Sequence, residues 1–294
     1  MGRPIADVTW LASRAGPAWL PSAGYRDCWP AEDCVSATID PVTARSDPNA
    51  LAAHYDALWA AAAPFVGAGG ATLDPWLSRC ADDARRGLTL LARPTATVAA
   101  ALSTFLEQLR LLEPAQHYQP ASDLHHTVLS LITATADYAP YLAQLPAYLE
   151  AVSEVAAETP PFAIDIRGVT LTPVAVLAQG FPRDGTLATV REHLRAALHA
   201  RGLGDALDQR YRLVTAHMTL VRFATPLDDP QRFIAALAAA RRTDFGLTMV
   251  GRLELVFGDW FHTAAREEKI AEYQLSARVL PTGQTPGLPP ATAG

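Results

Sequence analysis

The sequence predicts a duplicated fold of helices and strands, each copy running helix, histidine-bearing strand, helix, strand. Three observations predict it. Two tetrads, His125-His126-Thr127-Val128 and His217-Met218-Thr219-Leu220, share the order His, any residue, Thr, aliphatic. A helical pattern opens at Thr97 and again at Thr189, each followed by Val, 28 residues ahead of the tetrads (125 − 97 and 217 − 189). Downstream, Phe162 to Gly168 and Phe245 to Gly251 share a strand-like alternation, with Phe and Gly six positions apart in both. Chance tetrads would not bring matched flanks, so the repeat carries the motif. From His to Phe the interval is 37 residues in the first copy and 28 in the second (162 − 125 and 245 − 217), which predicts a longer connecting helix in the first.

The elements follow in order. Residues 1–45, rich in Ala, Pro, Gly, Trp and Ser without periodicity, read as an irregular extension. Residues 46–84 read as a helical N-terminal segment. Ser46-Asp47-Pro48 starts a helix with Leu51, Tyr55, Leu58 and Trp59 at helical spacing; Gly67, Gly69 and Gly70 end it, and a short helical stretch is expected from Leu73 to Ala84. The duplicated domain is placed at 85–279. Its first strand runs from Gly87 and is halted by Pro94, which has no N–H for a sheet ladder. A helix from Thr95 to Glu113 carries Val98, Leu102, Phe105, Leu109 and Leu112 on one stripe. Leu124 to Ile132 is the first histidine strand; a helical region from Tyr138 to Ala157 follows, punctuated by Pro140 and Pro146. Phe162 to Leu177 reads as a strand pair split near Pro173, and Thr186 to Ala200 as the long helix of the second copy. Tyr211 to Phe223 is the second histidine strand, Asp228-Asp229-Pro230 caps a helix to about Arg241, and Phe245 to Phe261 and Glu272 to Val279 supply closing strands. Residues 280–294, rich in Pro, Gly, Thr and Ala, read as a disordered tail.

In an extended strand, side chains two apart share a face. Each tetrad therefore sets an imidazole beside a hydroxyl, with the aliphatic residue turned the other way. Imidazole, with an unperturbed pKa near 6.5, both takes and gives protons near neutrality. In-line cleavage of a phosphodiester needs a base for the attacking oxygen and an acid for the departing one, and two opposed histidines meet that need without a metal. His125 and His217 are the candidate catalytic pair; Thr127 and Thr219 are candidate donors to the nonbridging oxygens, where negative charge builds. Tyr211 and Thr215 share parity with His217, and Tyr211 is a candidate stacking surface. Arg222 is a weaker candidate phosphate contact, since simple alternation sends it to the face opposite His217 unless a bulge intervenes. His126, by parity, reads as a structural or partly exposed histidine. Arg85 and Arg86 read as solvated charges and Trp260 and His262 as rim packing.

On the two tetrads, their separation of 92 residues (217 − 125) and the duplicated layout, the chain resembles the 2H phosphoesterase superfamily, which includes the 2′,5′ RNA ligase-like and cyclic nucleotide phosphodiesterase enzymes. The resemblance covers roughly residues 85 to 278. It implies an α+β bilobal fold with two pseudo-symmetric antiparallel sheets lining a central cleft, helices outside, and one tetrad from each lobe. It also implies a metal-independent phosphodiesterase acting on a 2′,3′-cyclic or 2′,5′-linked ribose phosphodiester, with a 2′-phosphate product favoured for a cyclic substrate. The alternative is a noncatalytic nucleotide or RNA-end binding module on the same scaffold. His126 departs from the aliphatic residue common at that place.

Composition sets the remaining bounds. The 294 residues are half hydrophobic, enough for a sizeable core. The net charge of −6 argues against general binding of long nucleic acid, which rests on many basic residues matched to phosphates. A small nucleotide or an RNA terminus needs only a locally positive cleft. Lys269 is the only Lys, an Arg-rich and Ala-rich skew expected of a GC-rich bacterial genome. Cys28, Cys34 and Cys80 show no metal-like spacing and read as reduced thiols; no cofactor or metal is expected. With no secretory pattern and no long apolar run, the expectation is a cytoplasmic protein.

Overall fold

The computed structural model describes residues 48–79, 81–208 and 212–276. The expected N-terminal extension and tail, the three cysteines and Tyr211 lie outside the described residues. Helix α1 (Pro48–Gly67) forms as its spacing predicts and buries Leu51, Tyr55, Ala62, Ala63 and Val66. Gly69, at φ +87°, turns the chain away from it, a conformation that costs glycine little.

The short helix expected from Leu73 to Ala84 is absent, and turns take its place. Side-chain carboxylates compete for the backbone there: Asp74 accepts from the N–H of Trp76 and Asp83 from that of Arg85, both at 3.0 Å. The Asp74 N–H donates to the Phe223 carbonyl (2.9 Å), which fastens the segment to the second histidine strand.

The domain then runs β1 (Arg86–Ala92), α2 (Ala96–Arg110), β2 (His117–Tyr118), β3 (His126–Thr135), α3 (Ala139–Leu142), α4 (Leu145–Ala157), β4 (Phe162–Thr172), β5 (Ala175–Pro182), α5 (Thr186–Ala200), β6 (Met218–Arg222), α6 (Pro230–Ala239), β7 (Asp244–Val250), β8 (Arg252–Gly258) and β9 (Glu268–Gln274). Two antiparallel sheets result, with strand orders β3-β1-β8-β9 and β2-β6-β5-β4-β7. The fold is α+β, with helices packed on the sheets. Prolines divide α3 from α4 as expected, and the longer interval in the first copy holds both helices. The second histidine strand is shorter than its pattern suggests, because residues 212–217 lie outside the ladder.

The sheets do not follow the sequence copies. The repeated strands β4 and β7 pair with each other in the five-stranded sheet, Phe162 opposite Val250, while β8 and β9 join β1 and β3 in the other. Each sheet is thus closed by strands distant in sequence. The core fills between these layers, with Leu88, Leu90, Val98, Leu102, Val169, Leu194, Phe223 and Phe233 all inaccessible to solvent.

Three contacts fix the histidine strands relative to each other. Arg191 of α5, buried, donates to the carbonyls of Val128 (2.8 Å), Thr127 (2.9 Å) and Thr215 (2.8 Å). Nδ1–H of His126 donates to the Ala216 carbonyl at 2.8 Å. Gly180 of β5 lies so close to that carbonyl that a Cβ would sit 2.0 Å from its oxygen. His126 is therefore a fully buried link between the sheets; the partly exposed alternative does not hold.

Among the described residues, no helix is long and apolar enough to cross a membrane.

Arg191→Met keeps the length of the side chain and removes every donor, leaving three carbonyls short of a partner. At about 1–3 kcal/mol for each buried group left unmet, urea denaturation should show a loss of about 3 kcal/mol or more. A loss well below about 1 kcal/mol would mean that other donors replace the guanidinium.

Candidate active site

One cavity of about 150 Å³ receives His125 and Thr127 from the first tetrad and His217 and Thr219 from the second. Burial alternates in both tetrads as strand parity predicts: His125, Thr127, His217 and Thr219 are half-buried, and His126, Val128, Met218 and Leu220 are buried. The wall is completed by Thr89 of β1, by Gln119 and Arg222, and by Trp260, Phe261 and His262 of the turn after β8. The two imidazoles thus enter a single space from the two sheets.

Each ring is oriented from behind. Nδ1–H of His125 donates to the Asp123 carbonyl at 2.7 Å, which leaves Nε2 as the exchangeable position. Nδ1 of His217 lies 2.6 Å from the Thr215 hydroxyl. Thr215 in turn meets the hydroxyl of Tyr55, a fully buried residue of α1 whose ionisation burial suppresses. That hydroxyl is also 3.2 Å from the Gly180 carbonyl, to which it donates. Helix α1 therefore reaches the second catalytic candidate through a short chain of hydroxyls.

Burial dominates the electrostatics. It holds the His125 imidazole well below its ordinary value of 6.5, with His262 next in effect. Burial also brings His217 down to about 3, with Arg191, His126 and Arg222 acting in the same direction. His126 falls to about 4 for the same leading reason. Both cavity imidazoles are therefore neutral at pH 7.

Arg222 corrects the simple alternation, because it lines the cavity with His217 instead of facing away. Val176 pairs with Val221 but Leu177 with Thr219, so Leu220 is an extra residue in β6 and the bulge returns Arg222 to the cavity side. Its guanidinium lies 5.4 Å from the Phe261 ring centroid and 6.0 Å from that of Trp260, with Asp74 3.8 Å from Nη1. Trp260 and His262, read as rim packing, belong to the cavity wall. Their place could not be found by spacing, since the turn that carries them is remote from both tetrads. Arg85 is held by Asp83 at 2.8 Å, and Arg86 donates to nearby carbonyls.

No protein-family model matches the sequence, and no curated protein matches it. Solved structures do match. TT0787 of Thermus thermophilus, a member of the 2H phosphoesterase superfamily, superposes with a TM-score of 0.50 at 21% identity, over 66% of this chain and 99% of that one. The chain has the 2H phosphoesterase fold. E. coli LigT in its apo form matches over the same shares at 16% identity with a TM-score of 0.45, and a further phosphoesterase at 15% identity with 0.45, over 65% and 99%. LigT has been crystallised with 3′-AMP, NADP+, ATP and phosphate. Two thirds of this chain match nearly the whole of TT0787, so the shared fold is here accompanied by additional sequence.

The depressed histidines make stability depend on pH. Once unfolded, each ring binds its proton near 6.5, so the unfolded chain takes up protons that the folded chain refuses. The contribution is complete above pH 6.5 and is lost as pH falls toward about 4 for His126 and about 3 for His217. The slope is about 1.4 kcal/mol per pH unit for each titrating ring. Denaturation midpoints measured between neutral and mildly acidic pH should fall accordingly, and His126→Gln should remove about one proton from that slope. An unchanged slope would place the His126 proton elsewhere.

Proposed function

We propose that the chain is a metal-independent phosphodiesterase that hydrolyses a 2′,3′-cyclic or 2′,5′-linked ribose phosphodiester, with His125 and His217 as the acid–base pair. The observation that carries this reading is the entry of two imidazole–threonine pairs, one from each sheet, into one small cavity. One ring takes the proton of the attacking oxygen, water for a cyclic phosphate or the neighbouring 3′-OH for a 2′,5′ linkage. As the new P–O bond forms, the opposite P–O bond breaks and the second ring protonates the departing oxygen. Thr127 and Thr219 donate to the nonbridging oxygens, and Arg222 adds positive charge on the same side as Thr219. Tyr211 is retained as a candidate base-stacking contact.

The hydrogen bond behind His125 suits both halves of a proton cycle. The Asp123 carbonyl accepts Nδ1–H whether the ring is neutral or charged, so exchange is confined to Nε2. The acid, however, needs a proton that burial disfavours. An anionic phosphodiester supplies the compensation, because negative charge beside a buried imidazole stabilises its charged form. Protonation of the acid is thereby coupled to arrival of the substrate, and the small nucleotide or RNA terminus brings the charge that arms its own cleavage.

Two measurements test the reading. Turnover of 2′,3′-cyclic nucleotides, 2′,5′-oligoadenylate or a related cyclic phosphodiester should persist in EDTA, with a bell-shaped pH profile. His125→Ala and His217→Ala should each lower kcat by about 10²–10⁴-fold; activity retained in both single variants would sink the assignment. Calorimetry of nucleotide binding in buffers of differing ionisation enthalpy should show uptake of about one proton near neutral pH. Binding with no proton uptake would mean that the acid is already charged in the free protein.

A further inference from the structure

We propose that His262 is a third substrate-contacting imidazole, donating Nε2–H to the phosphate beside His125 while Glu267 holds its Nδ1–H. The inference deepens the phosphodiesterase reading and rests on it. His262 lines the cavity, and its ring lies edge-on to that of His125 with centroids 4.6 Å apart. On its far side Nδ1 is 3.2 Å from Oε2 of Glu267, a carboxylate whose side chain is only 6% exposed. The other Glu267 oxygen is paired with Arg93, which also bonds Glu254 at 3.1 Å. Each oxygen of the carboxylate thus has its own partner, and the ring is aimed by a fixed support.

The backbone gives an independent reason. His262 adopts φ +54°, a left-handed conformation uncommon outside glycine, which His, Asn and Asp enter more often than other residues. The turn is built to hold it there. Oδ1 of Asp259 accepts from the N–H groups of Phe261 and Thr263, both at 3.1 Å, and the His262 N–H donates to the Asp259 carbonyl at 3.3 Å. Oδ1 of Asp123 accepts from the Ala264 N–H (3.3 Å), so the residue whose carbonyl orients His125 also anchors the turn that carries His262. None of these bonds uses the imidazole. Non-glycine residues held at positive φ cluster at active sites and ligand clamps, which fits a side chain that itself touches the ligand.

What it can do follows from its neighbours. The titratable and charged groups around the turn are Glu267, Arg93 and His125, with Asp259 and Arg266 (3.6 Å apart) and Asp123 at its base, and Arg222 and His117 against Phe261. A ring that donates at both nitrogens would join the Glu267 carboxylate on one side to an incoming phosphate on the other. The phosphate would then meet a donor from the turn after β8, with Arg222 also on the cavity wall and close to Trp260 and Phe261 of the same turn.

The probe is sulfate, a tetrahedral dianion whose charge is constant from mildly acidic to mildly basic pH. The test variant is His262→Asn, which accepts the left-handed turn and removes the imidazole. Calorimetry should show sulfate binding weakened about tenfold in the variant. Glu267→Gln should weaken it as well, and kcat/KM for a diester should fall by a similar factor in both. Long-range ¹H–¹⁵N spectra of the wild-type protein should show the His262 Nε2 resonance shifting as sulfate saturates, a readout that needs no variant to fold. Sulfate binding within twofold of wild type in His262→Asn, an unperturbed Nε2 at saturation, or no sulfate binding by the wild type would each overturn the proposal. A wild-type protein that binds sulfate through His262 but cleaves no diester would overturn the phosphodiesterase reading alone.

Discussion

The geometry of the cleft depends on one buried guanidinium. Arg191 holds the carbonyls of Thr127 and Val128 on one side and that of Thr215 on the other, so the backbones behind both catalytic candidates share a single donor group. Arginine suits the task because its donors diverge in a rigid plane and keep their charge at any relevant pH. The device is asymmetric within a duplicated sequence. At the equivalent place in the first copy stands Ala99, so only α5 supplies the clamp and the first histidine strand borrows it. His126 and Gly180 add to the same junction, one by a hydrogen bond to Ala216 and the other by having no side chain to keep that carbonyl away.

The charge that locks the strands also shapes their chemistry. Arg191 and Arg222 both bear on His217 and reinforce what burial begins, so this ring is kept neutral near pH 7. The N-terminal segment takes part as well. Tyr55 stands behind Thr215 and His217, and Asp74 stands beside Arg222, so sequence preceding the duplicated domain braces the wall formed by the second tetrad. The first wall relies on Asp123, Glu267 and Arg93 instead.

Much of this was legible in the chain because the relevant periods are local. Strand alternation alone places His125 with Thr127 and His217 with Thr219, and equal offsets from helix to tetrad expose the duplication. What stayed hidden is set by partners distant in sequence. The facing of Arg222 turns on a bulge at Leu220, which exists only through the register with β5. His126 looks like a blemish in its tetrad until Ala216 is found opposite it. His262 sits 137 residues beyond His125 (262 − 125) on a turn with no motif of its own. The helical stretch expected before Ala84 yields to turns because Asp74 and Asp83 offer the backbone a closer partner than the next helical carbonyl. The crossing of β4 into the other sheet likewise follows from pairing with β7, which no local pattern announces.

That crossing bears on how the chain reaches its native state. Strand β1 is interior to its sheet, flanked by β3 and by β8, and β8 begins at Arg252, about 160 residues after β1 has ended (252 − 92). During synthesis, β1 and β3 can form only a two-stranded ribbon, whose inner strand must wait with an open edge for a partner made near the end of translation. Closing so wide a loop is entropically slow, and an apolar strand left open meanwhile invites pairing with other chains. The histidine pair is therefore brought into register late, after nearly all of the described polypeptide is available.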